Sequence, residues 1–491
     1  MKTAIFVGGL VIVGLLVRPG LKAAADDLDN ASVRIAGEAF VRSGALSTIR
    51  VLSDEIGPRL TGSEAALRAA RYGLGLFEEY GLVNAHLEPF EIVGWEPGPA
   101  QAETLAPLRK ELRVDTLGFA VNTPQNGLVA EVIDAGHGTQ EDFERLAPAM
   151  AGKIVLAGLL SPAKASQATK EFQKVDFAAK KGAAACLIIS GTQGGLTRTR
   201  ASNYGGYSSI PAASIAYEDG TWLRRQLASG HAVKMRLLTL NKILPKTKAV
   251  NVVAEIPGRE NPQEVIVLGA HLDSWFLGPG AADNALGASI VIETARILSR
   301  LGLSPRRTIR FILFSGEEEG LLGSFAYVKS HEAELDNFVL MVNLDMTGLM
   351  YPGVLNPYGV CPIEDKLGAV LPVLAGLGIT GIETRYPYDS DDFNFIARGV
   401  PALGIQGRGT RNWNWGHSYA DTFEKIEVDK LNMNTAAVAI VVHFAANTPE
   451  RLSRRYSQAE VIQYFKDIGR EAVLKQEGTW KKLGFADGGR E

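Results

Sequence analysis

The sequence predicts an α/β protein: a mostly parallel sheet with helices on both faces, interrupted by a smaller α/β unit. Three observations predict this. Short apolar runs rich in β-branched residues, at 265–268, 308–314, 338–344 and 400–405, alternate with stretches of helical periodicity. Each run is closed by turn-forming or charged residues. A second set of short runs, at 129–133, 154–156, 187–189 and 212–215, alternates with helical segments at 142–146, 175–181 and 221–229.

Taken in order, residues 1–25 differ from the rest. Lys2 precedes a continuous apolar run at 4–17, and Ala23, Ala24 and Ala25 offer small residues for cleavage. The run is shorter than the roughly 20 residues a membrane span needs, so it reads as an export signal. Arg18 and Lys22 leave an uncleaved anchor as the alternative. Export to a periplasm or the exterior is therefore expected. Residues 26–90 look helical, with patterns at 31–52 and 65–80. The loop between them, Ile56-Gly57-Pro58-Arg59-Leu60-Thr61-Gly62-Ser63, is either a helix connector, the reading the residues favour, or a loop packed beside a site. Residues 91–125, with Pro97, Pro99, Pro107 and Pro124, read as irregular.

The inserted unit is expected at 120–243, dividing the host into 26–119 and 244–449. Strand character returns at 251–256. A helix starts at Leu321, another covers 367–377, and a long one covers 428–446. Residues 450–491 form a charged, partly amphipathic tail. The 491 residues suffice for two or three domains of roughly 150 residues each. With 54 acidic against 51 basic residues, nothing favours nucleic acid or a polybasic membrane surface. Two cysteines, Cys186 and Cys361, are too few for a disulfide framework.

The polar residues that follow strands are His271, Asp283, Glu317, Glu318, Asp345 and His417. Ligand sites in open α/β sheets lie at the carboxyl ends of strands. Two histidines with several carboxylates there make a nitrogen–oxygen metal site, a donor set that suits zinc. The carboxylates exceed what one catalytic zinc requires, so two ions sharing Asp283 are expected. Asp273, two residues beyond His271 on the same side of an extended chain, is read as the partner of its ring. Each residue alone has a plainer reading. Glu317, Glu318 and Glu319 could be an acidic first helical turn. Asp421 and Thr422 read as the cap region of the next helix. His443 reads as core, and His86, His137, His231 and His331 as surface.

In order along the chain stand His271-Leu272-Asp273-Ser274, Pro279-Gly280-Ala281-Ala282-Asp283-Asn284, Gly316-Glu317-Glu318-Glu319-Gly320, Asn343-Leu344-Asp345 and His417-Ser418-x-x-Asp421-Thr422. These motifs resemble metallopeptidase family 28, which holds co-catalytic zinc aminopeptidases and the carboxypeptidase Q branch. The resemblance covers about residues 40–446, and the insert resembles a protease-associated domain. It implies the zinc exopeptidase fold and two zinc ions, one on His271, Asp283 and Asp345, the other on Asp283, Glu318 and His417. Glu317 is implied as general base. Ala282 departs from the pattern, many members having Asp there.

The expected reaction is hydrolysis of short peptides or dipeptides by a metal-activated water. Carboxypeptidase-type specificity, a single-zinc glutaminyl cyclase and a non-catalytic receptor-like relative are the alternatives. A peptide is the expected partner. A homodimer is allowed, and no stable membrane partner is expected.

Overall fold

The computed structural model describes residues 19–158, 169–386, 390–409 and 413–485. The expected leader lies mostly outside the described residues. Helix α1 (Pro19–Val41) and α2 (Ala45–Arg50) replace one continuous helix, because the chain breaks at Ser43-Gly44. A π-helical turn at Val51–Ile56 and α3 (Glu64–Glu79) follow. Ser63 caps α3 by accepting the Ala66 N–H at 3.1 Å. Gly73 lets α3 approach the sheet, since a Cβ there would lie 2.6 Å from Leu313.

Residues expected to be irregular or helical form strands instead. β1 (Val83–Glu96), β2 (Ala100–Ala106), β3 (Lys110–Leu112) and β4 (Val114–Thr116) occupy them. The prolines that suggested irregularity, Pro97, Pro99, Pro107 and Pro124, all lie between strands, and Pro89 lies in β1, an edge strand that tolerates it.

The inserted unit continues with β5 (Leu128–Asp134), α4 (Gln140–Met150), β6 (Ile154–Ala157), α5 (Glu171–Lys180) and β7 (Ala185–Ile189). It closes with β8 (Ala212–Ile215), α6 (Tyr217–Ala228) and β9 (Lys234–Thr239). Its sheet has the order β3-β2-β9-β5-β6-β7-β8-β4 and so begins at Ala100, ahead of the expected 120. Cys186 is buried inside it and Cys361 inside the host, both as free thiols.

The host resumes with β10 (Lys242–Ile256), which pairs antiparallel with β1 along most of its length. Next come β11 (Asn261–His271), α7 (Leu286–Arg300), β12 (Arg307–Phe314), α8 (Leu322–Ser330) and β13 (Phe338–Asn343). β14 (Pro352–Tyr358), β15 (Gly381–Ile382) and β16 (Ala402–Gly407) complete the sheet, whose order is β1-β10-β12-β11-β13-β16-β14-β15. The central run β12-β11-β13-β16 is parallel, and antiparallel pairs flank it. The helix expected at 367–377 is broken into short turns, as Gly368, Pro372 and Gly376 require.

Helices cover both faces of this sheet. On one face, Ile35, Phe77, Ile290 and Val438 pack on Val252, Leu268, Phe311 and Val342. On the other, Tyr327, Phe395, Phe465 and Trp480 pack on Val267, Ile312, Phe314 and Met341. Phe465 and Trp480 belong to the expected tail, so that segment is part of the core. Burying such side chains contributes roughly 1.5–3 kcal/mol each. His331 is also not a free surface residue. It stacks on Tyr327 at 4.2 Å and contacts Glu88 at 3.0 Å and Glu334 at 3.2 Å.

Candidate metal centre

The carboxyl edge of the parallel strands gathers the expected residues. β11 ends on His271, and Asp345 stands two residues beyond β13. β12 exits through Gly316, whose φ of +79° favours glycine, into Glu317 and Glu318. Asp283 lies in a kinked turn, Ala281–Ala285, at the head of α7; its backbone and that of Asn284 are non-helical, and the peptide between them is cis. Asn284 ties this turn to the exit of β13. Its side chain donates to Leu344 O at 2.8 Å and accepts the N–H of Gly287 at 3.0 Å and Met346 at 3.1 Å.

Two groups of three donors result, His271–Asp283–Asp345 and Asp283–Glu318–His417, and Asp283 belongs to both. His271 Nε2 is 3.1 Å from Asp283 Oδ1 and 3.8 Å from Asp345 Oδ1. His417 Nε2 is 2.9 Å from Asp283 Oδ2 and 3.2 Å from Glu318 Oε1. The two oxygens of Asp283 thus face different histidines. His271 Nε2, Glu318 Oε1 and Asp345 Oδ1 are buried, yet none makes a well-formed hydrogen bond. Buried polar atoms without partners are rare and call for another ligand. Their convergence, and the nitrogen–oxygen chemistry of the set, fit divalent zinc.

The same groups shift one another's titration. Burial opposes a charged His271, but Asp283 and Asp345 outweigh it and hold its pKa well above the ordinary value. Burial likewise opposes a charged His417, and Glu318 and Asp283 lift it to about 9. Burial raises Asp283, but the two histidines reverse this and hold its carboxyl below the usual range. Burial pushes Glu318 up, and Glu317 well up.

Around these residues lies a second layer. The ring Nδ1 of His271 meets the main-chain oxygen of Asp273 at 3.2 Å, nearer than its carboxylate at 3.8 Å. The Asp273 carboxylate instead accepts the N–H groups of Glu317 at 3.4 Å and Glu318 at 3.3 Å. Thr422 stands at the N-cap of a short 3-10 turn, Phe423–Lys425, ahead of α12 (Val428–Asn447), but the Asp421 side chain points elsewhere. It is buried and accepts the N–H groups of Ala282 and Asp283. The departure at Ala282 therefore leaves a main-chain contact in use. Burial raises Asp421 to about 7.

The loop at 56–63 is more than a connector. Arg59 is fully buried and donates to the carbonyls of Leu272, Pro279 and Gly280, which flank His271 and Asp283. Thr61 gives its N–H and its hydroxyl to buried Glu319.

Sequence reasoning missed two further groups. Asp391 and Asp392 are buried, at the start of a short helix, Asp392–Ile396. Burial raises them to about 7 and about 8, and like charges including Asp345 add to this. An acidic pair ahead of the apolar Phe393-Asn394-Phe395-Ile396 was their one signal. Arg198 comes from the insert and donates to Gly416 O at 2.7 Å, beside His417. No local pattern announces it.

Known proteins resemble this chain over most of its length. Residues 251–442 match the sequence family "Peptidase family M28", and residues 117–223 match "PA domain". Carboxypeptidase Q of Bos taurus is 32% identical over 410 residues, covering 83% of this chain and 86% of its own. A crystal structure titled Peptidase M28 precursor, from Shewanella amazonensis, superposes with a TM-score of 0.78 at 27% identity. It covers 88% of this chain and 99% of that one. BSAP, a zinc aminopeptidase from Bacillus subtilis, superposes with a TM-score of 0.66 at 25% identity, covering 84% and 97%. Family match, full-length relative and shared fold agree, and the chain belongs to peptidase family M28, as a metallopeptidase with an inserted PA domain.

Proposed function

We propose that this exopeptidase is a two-zinc enzyme that cleaves dipeptides and short peptides with a free amino terminus. The observation that carries the reading is Asp283, shared by two groups of three donors. His271, Asp283 and Asp345 would hold one zinc, and Asp283, Glu318 and His417 the other. The chemistry that two bound zinc ions supply is Lewis acidity, which lowers the pKa of a water and polarises the scissile carbonyl. Glu317 is the general base. It neighbours the ligand Glu318, and its N–H is held by Asp273. Burial lifts its pKa well above the ordinary value, the direction that makes a carboxylate a stronger base. Its carboxylate takes the proton of the attacking water and returns it to the leaving amine. Asp273 orients Glu317 and Glu318 together, and Asp421 and Arg59 fix the backbone of the Asp283 turn.

A cleft of about 600 Å³ is lined by the insert, including Arg113, Asp115 and Thr197, with Tyr419 as its one host residue; none of the candidate metal ligands lines it, so it is not the reaction site. The acidic centre suits an ammonium group. The relatives named aminopeptidase and carboxypeptidase Q differ in the terminus their names imply, and a dipeptide offers both termini at once.

The test combines zinc analysis with a dipeptide panel, each member unblocked, amino-blocked and carboxyl-blocked. Two zinc ions per chain and loss of turnover on amino blocking are expected. Equal turnover of amino-blocked and free dipeptides would reject the polarity, and one ion per chain would reject the shared centre. Export rests on residues 1–25 and predicts a mature chain starting near Asp26, which amino-terminal sequencing checks. Among the described residues, no helix is long and apolar enough to cross a membrane.

A further inference from the structure

The five candidate ligands are not held alike. His271, Asp283, Glu318 and Asp345 lie within two or a few residues of strand ends or at the head of α7, all within the host. His417 lies ten residues beyond β16, on a loop. Its backbone is left-handed, with φ +57°, a region uncommon for residues other than glycine. Such a conformation persists only where its surroundings impose it.

Much of what imposes it comes from the insert. Thr199 donates its N–H to His417 O at 3.0 Å. Arg198 donates Nε to Gly416 O at 2.7 Å. Thr192 donates its hydroxyl to Asn414 O. Tyr419 returns a bond, its hydroxyl donating to Asp115 of β4 at 3.0 Å. Three carbonyls over 414–417 thus take donors from one insert segment. That segment is itself fixed within the insert. Thr199 is fully buried, and its hydroxyl donates to Thr116 O of β4 at 3.2 Å. The Arg198 N–H donates to Ser214 Oγ of β8 at 3.2 Å. Arg198 Nη2 is buried without a partner, and the charges of Asp283 and Glu318 act on the guanidinium.

We infer that the PA domain is part of the metal centre: Thr192, Arg198 and Thr199 are positioning residues that set His417. Occupancy of the Asp283–Glu318–His417 site therefore depends on the insert, and occupancy of the His271–Asp283–Asp345 site does not. This rests on the two-metal reading above. Residues that orient a metal ligand typically govern 10- to 100-fold in metal affinity. The two ions of one chain should then separate under a perturbation confined to another domain.

The experiment is zinc titration against a competing chelator on four variants of the full chain. Arg198→Lys keeps the charge near the carboxylates but removes the fixed Nε donor. Thr192→Val removes one hydroxyl with little change in shape. His417→Ala defines the behaviour of a chain lacking the second site. Arg224→Ala breaks contacts to Asp134 and Gly136 inside the insert, away from the junction, and controls for general loosening of that domain. The expected result is a loss of about tenfold or more in affinity for one ion in Arg198→Lys and Thr192→Val. The remaining ion should match the ion kept by His417→Ala, and Arg224→Ala should keep both. The inference is overturned if both junction variants hold two ions with unchanged affinity, or if both affinities fall together in them. A wild-type chain that binds only one ion would instead reject the two-metal reading, and with it this inference.

Discussion

Asp421 holds the turn that presents Asp283: its carboxylate accepts the N–H of Ala282 at 2.8 Å and of Asp283 itself at 3.1 Å, while its own carbonyl takes the Ala281 N–H at 3.4 Å. One side chain thereby sets the residue shared by both donor groups. Asp421→Ala should weaken both zinc ions together, by about 10- to 100-fold, with a parallel fall in kcat/KM. Asp421→Asn keeps one acceptor oxygen and should fall between. Zinc titration on the two variants checks this, and loss of a single ion would contradict it.

In the proposed mechanism the neighbours Glu317 and Glu318 have different work. Glu317→Gln keeps the size of the side chain but removes the proton acceptor, so turnover should fall by about 10²- to 10⁴-fold with both zinc ions retained. Glu318→Ala removes a ligand and should lower zinc content as well as activity. An acidic first helical turn without chemistry predicts near-normal activity for either change, at a cost of roughly 0.3–1 kcal/mol. Metal analysis beside steady-state kinetics separates these outcomes.

Arg59 donates to five carbonyls, those of Leu52, Gly57, Leu272, Pro279 and Gly280, at 2.6–3.0 Å. Burial lowers its pKa to about 10, which leaves the guanidinium charged near neutral pH. Arg59→Met should cost about 3 kcal/mol or more, because each buried acceptor left unpaired costs roughly 1–3 kcal/mol. Arg59→Lys should recover little, since an ammonium cannot reproduce the planar fork. Denaturant midpoints measure both.

His443, in α12, has its pKa lowered by burial to about 4. The unfolded chain binds this proton more readily than the folded one. Stability from the neutral ring is therefore complete above the unfolded value near 6.5, and is lost as pH falls from there through about 4. At about 1.4 kcal/mol per pKa unit, the loss has a ceiling of about 3 kcal/mol. His443→Gln should flatten the stability profile in that window. An unchanged slope would show that the ring is not the source.

The legibility of the chain followed the kind of interaction involved. His271, Asp283, Glu318, Asp345 and His417 stood out because imidazole and carboxylate at the ends of apolar strands are conspicuous. Arg59 did not, because Gly57-Pro58 signals a turn and carries no sign of what the next side chain will meet. Asp421 misled because its partners are N–H groups 138 and 139 positions away, whereas its local context is that of a cap. The strands at 83–116 were hidden by prolines that an edge or a turn accommodates. Arg198 and Thr199 act on carbonyls more than 200 positions away, which no local pattern records.

The pairing of β1 with β10 also bears on how the chain folds. Glu96 stands opposite Lys242, so the whole inserted unit leaves and re-enters the host at one point of its sheet. To an unfolded chain this is a long loop, and its closure costs entropy that grows as the logarithm of its length. Once the insert has folded, with β2 and β9 side by side, its two ends are already together. The β1–β10 pair then forms as if it were a local hairpin. The domain that reaches over the metal edge is thus also the one whose early folding would bring a distant part of the host into register.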